Sequence, residues 1–128
     1  MTQAIIDSNI ILRLLVKDDE LQLEEARKII KRVERSELTG LISILVLNEI
    51  IWILEKYYNL GRGDFLPKIL RLLAIPGMKI LEVNKSEVIG ILKVMLDPRL
   101  DFTDVYLTWV KGSRKLFTFD KELLKLVA

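Results

Sequence analysis

The stretch AIIDSNIIL, Ala4–Leu12, sets three polar residues, Asp7, Ser8 and Asn9, between two apolar runs. A carboxylate left alone among apolar neighbours costs several kcal/mol, so a chain keeps one there only when a partner or ligand stabilises it. Gln3 to Ile6 has the length and β-branching of a short strand, while Ser8 and Asn9 are residue types that open helices. The stretch therefore predicts a strand, a turn bearing Asp7, and a helix to about Val16. Asp7 then stands at the carboxyl end of a strand, the edge at which open α/β sheets bind ligands.

Moving outward, Asp18 and Asp19 are placed to cap a second helix, Glu20 to about Arg35, with Leu23, Ala26, Ile29, Ile30 and Val33 at helical spacing. Leu41 to Ser43 reads as a strand, and Ile44 to Tyr58 as a helix apolar nearly all round and hence largely buried. A helix over Asp64 to Ala74 carries Pro67 in its first turn; Lys79 to Val83 is a strand, and Ser86 to Leu96 a helix opened by a Ser cap. Asp101 to Lys111 is helical, Lys115 to Phe119 a strand, and Lys121 to Val127 a closing helix. Strands alternating with helices predict an α/β fold with a parallel sheet flanked by helices.

The 128 residues fit one domain, with 51% hydrophobic and 30% charged residues. The longest apolar segment, Leu41 to Leu54, is broken by Ser43, Asn48 and Glu49, so no membrane span is expected. MTQAIID has no basic leader, and the expected location is the cytoplasm. A net charge of +2 is too small for a surface that coats polyanions, though it leaves room for a local basic groove. The chain has no His and no Cys, which excludes a Cys nucleophile, a Ser-His-Asp triad and the usual zinc sites. Catalysis, if present, rests on carboxylates, Lys, Tyr, Ser/Thr or a metal.

Most of the eighteen Asp and Glu residues stand beside other charges, as solvated helix faces require. Asp7, Glu49, Asp104 and Asp120 do not. Glu49 has Leu45, Val46, Trp52 and Ile53 at spacings of three and four, so it interrupts an apolar face. Asp7 and Asp120 both follow apolar strand-like runs, IIDSN and LFTFD; helix capping is the local alternative for each, most directly for Asp120 before Lys121. In LDFTDVYL, Asp101 is assigned the cap and Asp104 the ligand role, although a cap followed by a first-turn acid is also a local device. Four converging carboxylates would repel and bind protons unless a divalent cation sat among them. Oxygen-only ligation selects Mg²⁺ or Mn²⁺, as one or two ions, and suits metal-assisted hydrolysis of phosphodiesters.

AIIDSNIILRLL, VLNEIIWIL, LDFTDVYL and LFTFDKEL, in that order across nearly the whole chain, resemble the PIN-domain ribonucleases and, among them, the VapC-like toxins of toxin–antitoxin pairs. The resemblance implies a three-layer α/β sandwich with a central parallel sheet of four or five strands, since many relatives continue into a further strand after the last motif. It implies Mg²⁺ or Mn²⁺ dependence, RNA cleavage, homodimerisation and a cognate antitoxin. Asp7 and Asp104 would be direct metal ligands, Glu49 and Asp120 would support metal or water, and Ser8, Asn9 and Thr118 would be polar neighbours.

Arg13, on the helix after Asp7, is a candidate for substrate phosphate or for pairing an acid. Arg27, Lys28, Lys31, Arg32 and Arg35 form a basic stretch, but Glu24, Glu25 and Glu34 among them favour intrahelical pairing over an RNA groove. Trp52, Tyr57, Tyr58 and Trp109 suit core or interface. Rival readings are a PIN-like module that binds RNA or protein without cutting, and a haloacid-dehalogenase-like phosphatase. The latter would want an acid where Asn9 stands, and a receiver domain would want its phosphoacceptor where Lys79 to Val83 offers only Glu82.

Overall fold

The computed structural model describes residues 2–127. Strands β1 (Thr2–Ile5), β2 (Leu38–Ile42) and β3 (Met78–Ile80) form a parallel sheet in that order, with Ala4 opposite Gly40 and Gly40 opposite Met78. Glycine at position 40 leaves room for the Met78 side chain, whose sulfur would lie 2.9 Å from a Cβ there. Helices α1 (Ser8–Leu15), α2 (Glu20–Glu34), α3 (Ile44–Trp52), α4 (Arg62–Leu73), α5 (Lys85–Val94), α6 (Phe102–Val110) and α7 (Lys121–Val127) flank and extend the sheet. One core joins β2, β3 and α1 to α6 through residues such as Ile11, Val33, Ile42, Ile50, Phe65, Met78, Leu92 and Val105. Each large apolar side chain removed from water there contributes roughly 1.5–3 kcal/mol.

The α/β class and the parallel sheet agree with the sequence reading; the strand number does not. Among the described residues the sheet has three strands, and Lys115 to Phe119 forms no ladder. Its two phenylalanines, Phe117 and Phe119, are 89% and 104% exposed, so no layer buries the apolar face that gave the segment its strand pattern. β-propensity records the fit of a side chain to a half-buried surface, and that surface is missing here.

Helix boundaries shift for local reasons. The predicted helix Ile44 to Tyr58 splits into α3 and a wider turn over Ile53–Tyr57, in which the Tyr58 amide donates to the Ile53 carbonyl at 3.0 Å, before Asn59 adopts a left-handed φ of 55°. α3 is not buried all round: Leu45 and Trp52 are 76% and 62% exposed, because Ile44, Leu47, Ile50 and Ile51 alone face the core. Asp19 caps α2 by accepting from the Gln22 amide at 3.0 Å, whereas Asp18 turns to Arg13 and Tyr58. α4 opens at Arg62, two residues early, which leaves Pro67 inside the helix and not in its first turn. α5 opens at Lys85 with Asn84 at its cap position, so Ser86 is not the cap.

The joint that delivers α3 is built from two strand ends. Ser43, directly after β2, caps α3 by accepting from the Leu45 amide at 3.2 Å. Glu82, just beyond β3, accepts from the Ser43 hydroxyl at 2.5 Å and from the Ile44 amide at 2.8 Å. Partial burial acts to raise the Glu82 pKa, but these two donors overcome it and hold the carboxyl below its ordinary value. The ionised form therefore stabilises the fold above the unfolded-state pKa, and that contribution is lost as pH falls through the lowered folded-state value. Glu82→Ala should cost about 1 kcal/mol at pH 7, the usual loss of a cap acceptor. Urea unfolding should show a lower midpoint at pH 7 and a smaller gap from wild type near pH ~3; equal midpoints at pH 7 would show that the joint does not depend on Glu82.

Candidate active site

Asp7 occupies the N-cap position of α1 with extended backbone (φ −81°, ψ 166°), yet its carboxylate makes no capping hydrogen bond. Among the described residues it has no hydrogen bond or ion pair, so the local alternative of capping does not account for it. Ser8 is the first residue of α1 and not its cap, and Asn9 follows on the exposed side. Glu49 lies on the outward face of α3 and is exposed together with Leu45 and Trp52. Of the apolar neighbours that made it look buried, Leu45 and Trp52 are themselves at the surface, while Val46 and Ile53 are half-buried against the core.

Asp104 sits in the first turn of α6, half-buried. Burial raises its pKa first, then the nearby negative charges of Asp101 and Asp120, with the Asp101 backbone amide acting in the opposite direction. Asp101 supplies the N-cap backbone of α6, but its side chain does not make the cap that the spacing predicts; its Oδ1 accepts from Arg62 Nη2 at 3.3 Å instead. Asp120 takes the local role instead, with Oδ1 accepting from the Glu122 and Leu123 amides at 2.9 and 3.1 Å to open α7. Thr118 supports the same turn, its hydroxyl accepting from the Asp120 amide at 3.0 Å.

Thus three acids, Asp101, Asp104 and Asp120, are near enough to raise one pKa, while the predicted quartet does not close. No group of three His, Cys, Asp or Glu side chains among the described residues is arranged to hold a metal ion. The donor chemistry still fits a hard divalent cation: every candidate is a carboxylate, and Asp104, whose pKa is raised by burial and then by Asp101 and Asp120, has no ion pair among the described residues. Between α3 and the start of α6 lies a cleft of about 240 Å³, lined by Asn48, Trp52, Lys56, Arg62, Asp101 and Thr103.

The cations near the site are mostly committed. Arg13 pairs with Asp18, whose other oxygen accepts from the Tyr58 hydroxyl at 3.1 Å, so it ties α1 to the α1–α2 connection and to the turn after α3. This is the acid-pairing alternative for Arg13. Arg27 and Lys28 pair with Glu24 and Glu25 at 3.0 and 3.3 Å, which is the intrahelical pairing their spacing favoured.

The PIN domain family model matches residues 4–128. The chain belongs to the PIN-domain family. Neither a search of curated proteins nor a search of solved structures gave a match. PIN domains are in general nucleases, hydrolases that typically use divalent metal ions, and the α/β fold with its parallel sheet is consistent with that family. No helix among the described residues of this PIN domain is long and apolar enough to cross a membrane.

Two residues around the site escaped the sequence reading, Glu82 and Arg62. Glu82 gave no signal beyond its place near the end of the predicted strand Lys79 to Val83. Arg62 gave none either, since the sequence reading opens the helix at Asp64; in the structure it stands in the first turn of α4, the end where the helix dipole disfavours positive charge.

Because its pKa is raised in the fold, Asp104 binds its proton more tightly folded than unfolded, and its contribution to stability falls as pH rises through the carboxylate range. Asp104→Asn removes that penalty. Thermal unfolding should give the variant a higher Tm than wild type at pH 7 and an equal one below pH ~3; a lower Tm at pH 7 would mean that the carboxylate is compensated.

Proposed function

We propose that this PIN domain is a metal-dependent endoribonuclease and the toxin of a VapC-like toxin–antitoxin pair, acting in the cytoplasm, homodimeric, and held in check by a cognate antitoxin protein. The observation that carries the nuclease reading is the pairing of family membership with acids that no cation pairs among the described residues: Asp104, raised by burial and then by Asp101 and Asp120, and Asp7, uncapped at the end of β1. Asp7 and Asp104 would be the direct ligands of Mg²⁺ or Mn²⁺, with Glu49 and Asp120 in support. A bound ion would acidify a water and neutralise charge on the scissile phosphate. The chain itself orients the acids by strand and helix ends, and the cleft beside α6 offers Lys56 and Asn48 as polar contacts and Trp52 as a stacking surface for unpaired bases.

The toxin, dimer and antitoxin assignments rest on the resemblance of the four motifs. Exposed apolar residues of the kind protein partners cover, Leu45 and Trp52 on α3 and Phe117 and Phe119 near the end, add support.

A second reading, a PIN module that binds without cutting, draws on one observation: the acids do not close into a ligand set, and Asp120 is engaged as a cap. Cleavage of end-labelled structured RNA separates the two. Wild type with Mn²⁺ or Mg²⁺ should cut, EDTA should abolish cutting, and Asp7→Asn and Asp104→Asn should each lose at least about 100-fold in rate, more than supporting residues usually cost. Equal cutting by wild type and both variants would contradict the assignment, and binding of RNA with no cutting at millimolar metal would favour the second reading.

A further inference from the structure

Arg62 is the most heavily engaged side chain of the molecule, and neither the core nor its own helix explains it. Its side chain is 10% exposed. Nε and Nη2 grip Glu55 across the two carboxylate oxygens at 2.9 and 3.3 Å. Nη1 donates to three backbone carbonyls, Met95 at 2.8 Å, Asp97 at 3.1 Å and Leu100 at 2.6 Å, and Nη2 reaches Asp101 Oδ1 at 3.3 Å. At the start of α4 this charge opposes the helix dipole; at the end of α5, which closes at Val94, it complements the dipole and satisfies the carbonyl of the C-cap residue Met95. The acceptors on one side all belong to the connection from α5 to α6. That connection ends where Asp101 opens α6, with the Val105 amide donating to the Asp101 carbonyl at 3.1 Å and Asp104 in the same turn.

We infer that Arg62 is the positioning residue of the active site: by clamping residues 95–101 to Glu55, it fixes where α6 begins and therefore where the Asp104 carboxylate is presented. The inference rests on the endoribonuclease reading for its functional consequence, while the clamp is a property of the fold. The geometry requires a planar guanidinium. A lysine ammonium at the same place keeps the charge but is a single point with three donors, unable to hold a carboxylate in a fork and reach three carbonyls on its other side. Glu55 completes the device, because the turn over Ile53–Tyr57 that follows α3 carries it opposite Arg62. Misplacing a reacting group by about 1 Å costs on the order of 100-fold in rate, so a loosened α6 start is felt at the chemistry.

The test compares wild type, Arg62→Lys and Glu55→Gln at a temperature where each is folded by circular dichroism. Three readouts are taken: amide hydrogen exchange over 95–105, Mn²⁺ affinity by calorimetry on RNA-free protein, and kcat and KM for an end-labelled RNA. Arg62→Lys should speed exchange at Phe102–Val105, weaken Mn²⁺ binding by about 10-fold or more, and lower kcat with KM for RNA unchanged within about twofold. Glu55→Gln should move all three in the same direction by less, and it carries the test if Arg62→Lys does not fold. Wild-type exchange and wild-type Mn²⁺ affinity in the folded variants would overturn the inference, as would a rise in KM alone. Wild-type protein that neither binds Mn²⁺ nor cuts contradicts the nuclease reading instead, and the exchange data still decide the clamp.

Discussion

Strand β2 is the constraint on which the remaining structure hangs. It is the one strand paired on both edges, and its residues Leu38, Gly40 and Ile42 are buried while the two between them are half-buried. Parallel pairing on both sides fixes its register against β1 and β3 and aligns the carboxyl ends of all three strands. From those ends the chain turns into helices at Asp7 and at Ser43, and the end of β3 sends Glu82 across to hold the second of these turns. α3, with Glu49 on its outer face, is thus aimed by two strands at once.

The second half of the site is aimed by electrostatics as much as by packing. α6 begins where the partly buried Arg62 guanidinium gathers carbonyls of the connection that follows α5, and its opening turn bears Asp101 and Asp104. Arg62 satisfies Asp101 and leaves Asp104 raised, so the arrangement places one compensated and one uncompensated carboxylate three residues apart. A fold optimised for stability alone would gain by neutralising the second. Retaining it is physically sensible when a cation supplies the missing charge.

Period and punctuation made much of this legible from sequence. Alternating elements gave the α/β class, and apolar runs ending in Asp or Ser located the strand ends. The LDFTD spacing pointed to the opening turn of α6. What failed has identifiable causes. The apolar surround of Glu49 suggested burial, but Leu45 and Trp52 are exposed with it, since i±3 and i±4 neighbours report a shared face and not which way that face points. LFTF at Leu116 to Phe119 has a strand's residues without a surface to bury them. Asp120 was legible as an acid after an apolar run, and the two amides that donate to it show the capping role that such a sequence equally allows. Arg62 could not be found by pattern, because its partners at 95–101 are backbone carbonyls more than thirty residues away and carry no side-chain signature.

The central claim is that the acids around α6 and β1 await a hard cation. The most direct measurement is anomalous scattering from crystals of the full chain grown or soaked with Mn²⁺. The account predicts a Mn²⁺ peak within oxygen-coordination distance of the Asp104 carboxylate, with Asp7 drawn to the same ion. Full Mn²⁺ occupancy elsewhere on the molecule, with no peak at Asp104, would contradict it.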